Sequence, residues 1–132
     1  MKVIVDSSAI LSILFAEPDS DQILVAINDN ECAISVGNYL ETAIVVDSTK
    51  DPVVTRKFDA FIKASGIEIL SVDPKQVEVA RAAHRDYGKG TGHRAKLNFG
   101  DVFAYALATT TRRKLLSKDD DFRHTDIAIL DI

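Results

Sequence analysis

Lys2-Val3-Ile4-Val5-Asp6-Ser7-Ser8-Ala9-Ile10 is the stretch whose reading decides the fold. Val3, Ile4 and Val5 are consecutive β-branched residues closed off by turn formers, so Lys2–Val5 is expected to be a short buried strand. Ser7 or Ser8 can cap a following helix, with Ala9, Ile10, Ile13 and Leu14 as its apolar face. Glu17-Pro18-Asp19-Ser20 ends that helix. An acid, Asp6, therefore stands at the junction of a strand and a helix.

Working outward, the same alternation recurs. A second helix spans about 21–28 and stops at Asn28-Asp29-Asn30, and Cys32–Ser35 is the next strand. A helix from about Gly37 to Ser48 carries Glu41. Asp51-Pro52 and Asp73-Pro74 are matched helix starts, with Asp as cap and Pro at the first helical position, where its missing N–H does no harm. Gln76 is placed to complete a capping box with Asp73. Ile67–Leu70 is a strand between those helices, and the second of them runs to about Tyr87. Gly88–Asn98 holds three glycines and reads as a flexible loop. Asn98 caps a helix from Phe99 to about Thr110. Lys114–Ser117 is a strand, and Ile127–Leu130 a weaker terminal one. Strands alternating with helices imply an α/β fold whose mostly parallel sheet is covered on both faces. Sites in such sheets form beyond the carboxyl ends of the strands, at a topological switch point.

The chain's 132 residues fit one domain, residues 1–132, with enough length for a core. Its 46% apolar and 27% charged content is that of a globular chain rather than a disordered one. No apolar run has the length of a membrane span, no signal-peptide pattern opens the chain, and Cys32 has no partner for a disulfide. These features set the expectation of a cytoplasmic protein without a membrane partner. Cys32 itself reads as a small buried thiol. Net charge is −4. Its distribution is uneven, because 79–98 holds Arg81, Arg85, Lys89, Arg94 and Lys96 against Asp86 alone. Such a segment is either a solvated face or a patch for phosphates.

The acids carry the functional reading: Asp6, Glu41, Asp101 and the run Asp119-Asp120-Asp121. Taken singly, each has an ordinary role. Asp6 can cap a helix, Asp101 favours a helix N-terminus, and a run of three Asp makes a polar turn. Glu41 interrupts a largely apolar helix and is either on a narrow exposed stripe or aimed inward. Asp6 and Asp119 both fall just past strand ends, at the edge where a site is expected. Clustered carboxylates repel, and Mg²⁺ or Mn²⁺ relieves the repulsion while activating water and neutralising phosphate charge. Other chemistries lack their residues. The three histidines have no zinc spacing, Gly88-Lys89-Gly90-Thr91-Gly92 is not a phosphate-binding loop of Walker type, and Gly-x-Ser-x-Gly is absent.

At these residues the chain resembles the PIN-domain ribonucleases, specifically the VapC-type toxins of bacterial toxin–antitoxin pairs. Four segments carry the resemblance in order: Val3 to Ile10, Ser35 to Ala43, Tyr87-Gly88-Lys89-Gly90 leading to Leu97 through Ala108, and Leu115 through Phe122 followed by His124-Thr125-Asp126-Ile127. It implies a PIN-like three-layer fold with a central sheet of about five strands between helices. It implies Mg²⁺-dependent cleavage of RNA phosphodiesters, with Mn²⁺ as substitute. Asp6, Glu41 and Asp101 match the acidic site, Asp6 and Asp101 as main metal ligands and Glu41 completing the pocket or orienting water. Relatives often end in Leu-Leu-Phe-Lys-Gly-x-Asp-Phe, which points to Asp121, while others have an acid at the position of Asp119. Ser117 stands where Phe is common, a change expected to alter local packing, and Asp119 stands where Gly is common. Ser7, Lys89, Arg94 and Lys96 are the candidate RNA contacts. The resemblance also implies a homodimer and a VapB-like antitoxin whose basic side chain enters the acidic groove. Two other readings compete: a PIN-like binding module without activity, and an aspartate-based phosphotransfer domain. The latter needs an acidic pair where this chain has Asp6 followed by Ser7 and Ser8.

Overall fold

The computed structural model describes all residues, Met1–Ile132. Four strands form one sheet in the order β3-β2-β1-β4: β1 (Lys2–Val5), β2 (Glu31–Ser35), β3 (Glu68–Leu70) and β4 (Lys114–Leu116). Every pairing is parallel, with Val3 opposite both Cys32 and Lys114. β1 is therefore interior, and the strand order reverses beside it, between β1 and β4. Strands buried on both faces need apolar residues at every position, which Val3, Ile4 and Val5 supply, all three fully buried.

The two-residue period of the strands divides the core. Val3, Val5, Ile34 and Leu116 face one layer, where they meet α1 (Ser7–Leu14), α2 (Ser20–Asp29) and α4 (Pro52–Ser65) through Ile10, Ile23, Ile27 and Phe58. Ile4, Ala33 and Leu115 face the other, against α5 (Pro74–Tyr87) and α6 (Phe99–Thr111) through Ala83, Val102, Ala104 and Leu107. α3 (Val36–Ser48) follows β2 directly and packs on α1, α4 and α6, which places it across the carboxyl edge of the sheet. No helix is long and apolar enough to cross a membrane.

Local signals account for most element ends. Asp6, rather than Ser7 or Ser8, is the first cap, its carboxylate accepting from the Ala9 N–H at 3.2 Å. Asp51 and Asp73 cap as the Asp-Pro pairs predict, at 2.9 Å to Val53 N and 2.8 Å to Gln76 N. The reciprocal half of the Asp73 box does not form, because Gln76 donates instead to the Ser71 carbonyl at 3.0 Å. The expected strand at Ile127–Leu130 is reduced to a parallel bridge between Leu115 and Ile129. Its ladder is two bonds long, because β4 is three residues long and offers only Leu115 to it. The 88–98 loop is more ordered than its glycines suggest. Lys89 N and Leu97 O close it at 2.8 Å, and its own Ala95 and Leu97 are fully buried.

Phe122 sits in a single 3-10 turn, Asp121–His124, and is fully buried against the α6 layer. It is the anchor for the acidic run just before it. Replacing it with Ala opens a ring-sized cavity, so Phe122→Ala is expected to lose about 3–5 kcal/mol of stability, read from urea unfolding. A loss under about 1 kcal/mol would mean that the turn is not held by this side chain.

Candidate active site

The site assembles where the strand order reverses. Asp6 leaves the end of β1 and is 2% exposed, since β2 and β4 flank its strand and its own backbone N–H donates to the Leu116 carbonyl at 3.2 Å. A carboxylate so buried needs compensation. Its Oδ1 accepts the Ser8 hydroxyl at 2.7 Å and its Oδ2 the Ser117 hydroxyl at 2.8 Å. Ser117 was expected to change packing; it also reaches the central acid directly.

Asp101 comes from the first turn of α6. Asn98 and Asp101 form a full capping box, each side chain accepting from the other's backbone N–H at 2.9 Å. This holds Asp101 Oδ2 and leaves Oδ1 without a protein partner. Asp119 follows β4, its N–H donating to Ser117 Oγ at 3.1 Å. One carboxylate oxygen from each of Asp6, Asp101 and Asp119 lies within 4.8 Å of the other two.

Glu41 and Asp121 stand outside that group of three. Glu41 Oε1 accepts the Ser7 hydroxyl at 2.5 Å and Asn38 Nδ2 at 3.2 Å. The same Asn38 Nδ2 donates to the Gly100 carbonyl at 2.9 Å, tying α3 to the turn that carries Asp101. The two helices approach closely at a glycine on each. A Cβ at Gly100 would collide with the Glu41 carboxylate, and one at Gly37 would lie 2.7 Å from the Phe103 ring. Asp121 opens the 3-10 turn, and its charge bears on both Asp101 and Asp119.

Of the other sequence candidates, Ser7 is engaged with Glu41. Lys89, Arg94 and Lys96 are exposed on the 88–98 loop and make no ion pair with any acid. Sequence reasoning passed over Ser8, Asn38 and Lys118. Asn38 had a legible signal, since three residues before Glu41 places it on the same helix face. Lys118, paired with Glu17, had none, because only the fold brings the connection after α1 beside the segment after β4.

The electrostatics follow from this crowding. Burial pushes the Asp6 carboxyl from its ordinary 3.8 up to about 7; the Ser8 and Ser117 hydroxyls oppose the rise and the Asp119 charge adds to it. Burial raises Asp101 to about 6, against the pull of the Asn98 backbone N–H and with help from Asp119, Glu41 and Asp121. Asp119, exposed as a residue but turned toward the cluster, is raised by desolvation and then by Asp121. Three hard oxygen donors converge with no cationic side chain among them, which is the donor set of a divalent metal such as Mg²⁺ or Mn²⁺. The residues fit such an ion.

Comparison with known proteins agrees. A family model described as PIN domain matches residues 3–128. Ribonuclease VapC28 of Mycobacterium tuberculosis (strain ATCC 25618 / H37Rv) is 44% identical over 126 residues, which are 95% of each chain. The structure of VapBC2 from Rickettsia felis, bound to a DNA fragment from their promoter, matches with a TM-score of 0.77 at 15% identity, covering 99% of this chain and 98% of that one. A toxin–antitoxin complex from Klebsiella pneumoniae matches with a TM-score of 0.68 at 18% identity, covering 91% and 89%. At such identities the two structures speak to the fold.

Without metal, the raised carboxyls make stability depend on pH. Between about 3.8 and about 7 the folded chain holds a proton on Asp6 that the unfolded chain has lost, so stability falls as pH rises through that window. In EDTA, the melting temperature is expected to drop over this range and to drop less in Asp6→Asn. Equal slopes for the two proteins would place the effect elsewhere.

Proposed function

Because the chain belongs to the PIN-domain family and, within it, to the VapC ribonucleases, we propose that Asp6, Asp101 and Asp119 hold a divalent cation, Mg²⁺ or Mn²⁺, at which RNA phosphodiesters are hydrolysed. The observation that carries this reading is the convergence of three carboxylates, all of them raised in pKa, at the switch point of the sheet. When bound, the cation activates water and neutralises charge on the scissile phosphate.

The protein's own groups set the rest. Asp101 Oδ1 and one lone pair of Asp6 Oδ2 are left open by the bonds that fix the other positions of these carboxylates. Glu41 is held through Oε1 by Ser7 and Asn38 with Oε2 against Gly100, and from there its charge would help to orient the attacking water. The exposed Lys89, Arg94 and Lys96 offer positive charge to flanking phosphates. Asp121 adds negative charge at the rim. This is the role that growth-inhibiting ribonuclease toxins perform, and a VapB-like antitoxin supplying a basic side chain to the acidic cleft would neutralise it. The Klebsiella pneumoniae neighbour, a toxin–antitoxin complex, supports such a partner.

Purified protein is expected to cut a panel of structured RNAs with Mg²⁺ or Mn²⁺, to stop in EDTA, and to lose at least 100-fold of its rate on Asp101→Asn (a magnitude of the order set by removing one charge-stabilising group). Unchanged cutting by Asp101→Asn would refute the site.

The partner for the face beside the cleft is a second copy of this chain. Val36, Leu40 and Ile44 recur every four residues on α3 and are 41%, 58% and 56% exposed, and Phe99 beside them is 77% exposed. This stripe continues into a hollow lined by Glu41 and Gly100. A self-complementary contact here would join two acidic clefts into one groove. Leu40→Glu with Ile44→Glu is expected to convert a dimer to a monomer in sedimentation; a wild-type monomer at high concentration would exclude the homodimer.

A further inference from the structure

Ser8 and Ser117 stand on opposite sides of Asp6, and their bonds follow one pattern. Each hydroxyl donates to one oxygen of the carboxylate, at 2.7 Å and 2.8 Å. Each also accepts a backbone N–H from the segment after β4: Lys118 N to Ser8 Oγ at 3.0 Å, and Asp119 N to Ser117 Oγ at 3.1 Å. A serine hydroxyl has one proton. With both protons committed to Asp6, the 3.2 Å approach of the two hydroxyls is a consequence of the grip rather than a bond of its own. Four hydrogen bonds thus join the end of β1, the first turn of α1 and the 117–119 segment, and the Lys118–Glu17 ion pair closes the same junction from outside.

We propose that Ser117, together with Ser8, is a positioning residue of the metal site, fixing Asp6 through its two oxygens and setting the Asp119 carboxylate beside it. This inference rests on the metal reading above. Asp119 belongs to no helix or strand, and it lies between β4 and the 3-10 turn. A bond to the same hydroxyl that holds Asp6 therefore sets the separation of two of the three clustered acids. The donor count at Asp6 shows why the arrangement suits a cation. Oδ1 accepts Ser8 and the Ala9 N–H, while Oδ2 accepts Ser117 alone. A carboxylate oxygen has two lone-pair directions, so the grip leaves one on Oδ2. Partners that orient a ligand in this way are typically worth about 10–100-fold in metal affinity.

The test is Mn²⁺ titration of the full chain by calorimetry, with wild type, Ser117→Ala, Ser117→Thr, Ser8→Ala and Asp119→Asn, each checked for folding by thermal melting. Ser117→Ala is expected to bind Mn²⁺ about 10-fold or more weakly, and Ser117→Thr, which keeps the hydroxyl, to stay near wild type. In an Asp119→Asn background the loss on Ser117→Ala should shrink, because part of its action runs through Asp119; a purely structural serine would show no such coupling. If Ser117→Ala does not fold, Ser8→Ala reads the same grip from the other oxygen. Wild type that binds Mn²⁺ while folded Ser117→Ala and Ser8→Ala bind it equally well overturns this inference and leaves the metal reading standing. Wild type that binds no Mn²⁺ overturns both.

Discussion

A carboxylate at the end of the central strand constrains everything around it. β1 is paired on both edges and covered on both faces, so the chain can leave the sheet only at its end, and the first residue out is Asp6. An isolated charge there would be too costly to keep. The structure meets that cost locally, with two hydroxyls and a helix N-terminus, and incompletely, since the carboxyl still holds its proton up to about pH 7. The remaining deficit is what a cation corrects. The site is thus a consequence of an acid placed where the fold permits least water.

The second constraint is the approach of α3 to α6. These helices belong to different layers, and their acids reach the cleft only if the backbones come close at one point. Gly37 and Gly100 provide that closeness, each standing where a side chain would strike the other helix. Asn38 spans the gap, 1% exposed, bonding Glu41 on its own helix and the Gly100 carbonyl on the other. Helix ends do similar work, because Asn98 both caps α6 and fixes the rotamer of Asp101. Parts usually read as structural here set the geometry of the acids.

Much of this was legible in the sequence, for definite reasons. β1 is visible because a doubly buried strand must be apolar throughout, and the starts of α4 and α5 because Asp-Pro satisfies two demands of a helix end at once. Asp6 stood out by following a strand, Glu41 by breaking an apolar helix, and Asp101 by its place in the family motif. Features that depend on pairs distant in sequence were not legible. Ser117 and Asp6 are 111 positions apart, and nothing in either segment announces the bond between them. The run Asp119-Asp120-Asp121 left Asp119 and Asp121 as alternatives, and only the path from β4 into the Phe122 turn separates them by turning Asp119 toward Asp6 and Asp101. The terminal strand was over-read because its apolar residues are used for packing, Ile127 and Ile129 on the α6 layer and Leu130 on the other, while β4 is too short to extend the sheet with them.

A cleft lined with acids in a chain of net charge −4 is a poor receptor for an anionic polymer. On the proposed reading this apparent mismatch is the source of control. Without a cation the ionised carboxylates of the cleft repel phosphate, and the Asp6 carboxyl, raised to about 7, must give up its proton to act as a ligand. A divalent cation removes both obstacles together, so RNA is attracted only where the water that cleaves it can be activated. A basic side chain from a partner satisfies the same carboxylates without activating any water. Metal, substrate and inhibitor would then all be selected by one electrostatic feature, the cluster that burial of Asp6 forces the fold to compensate.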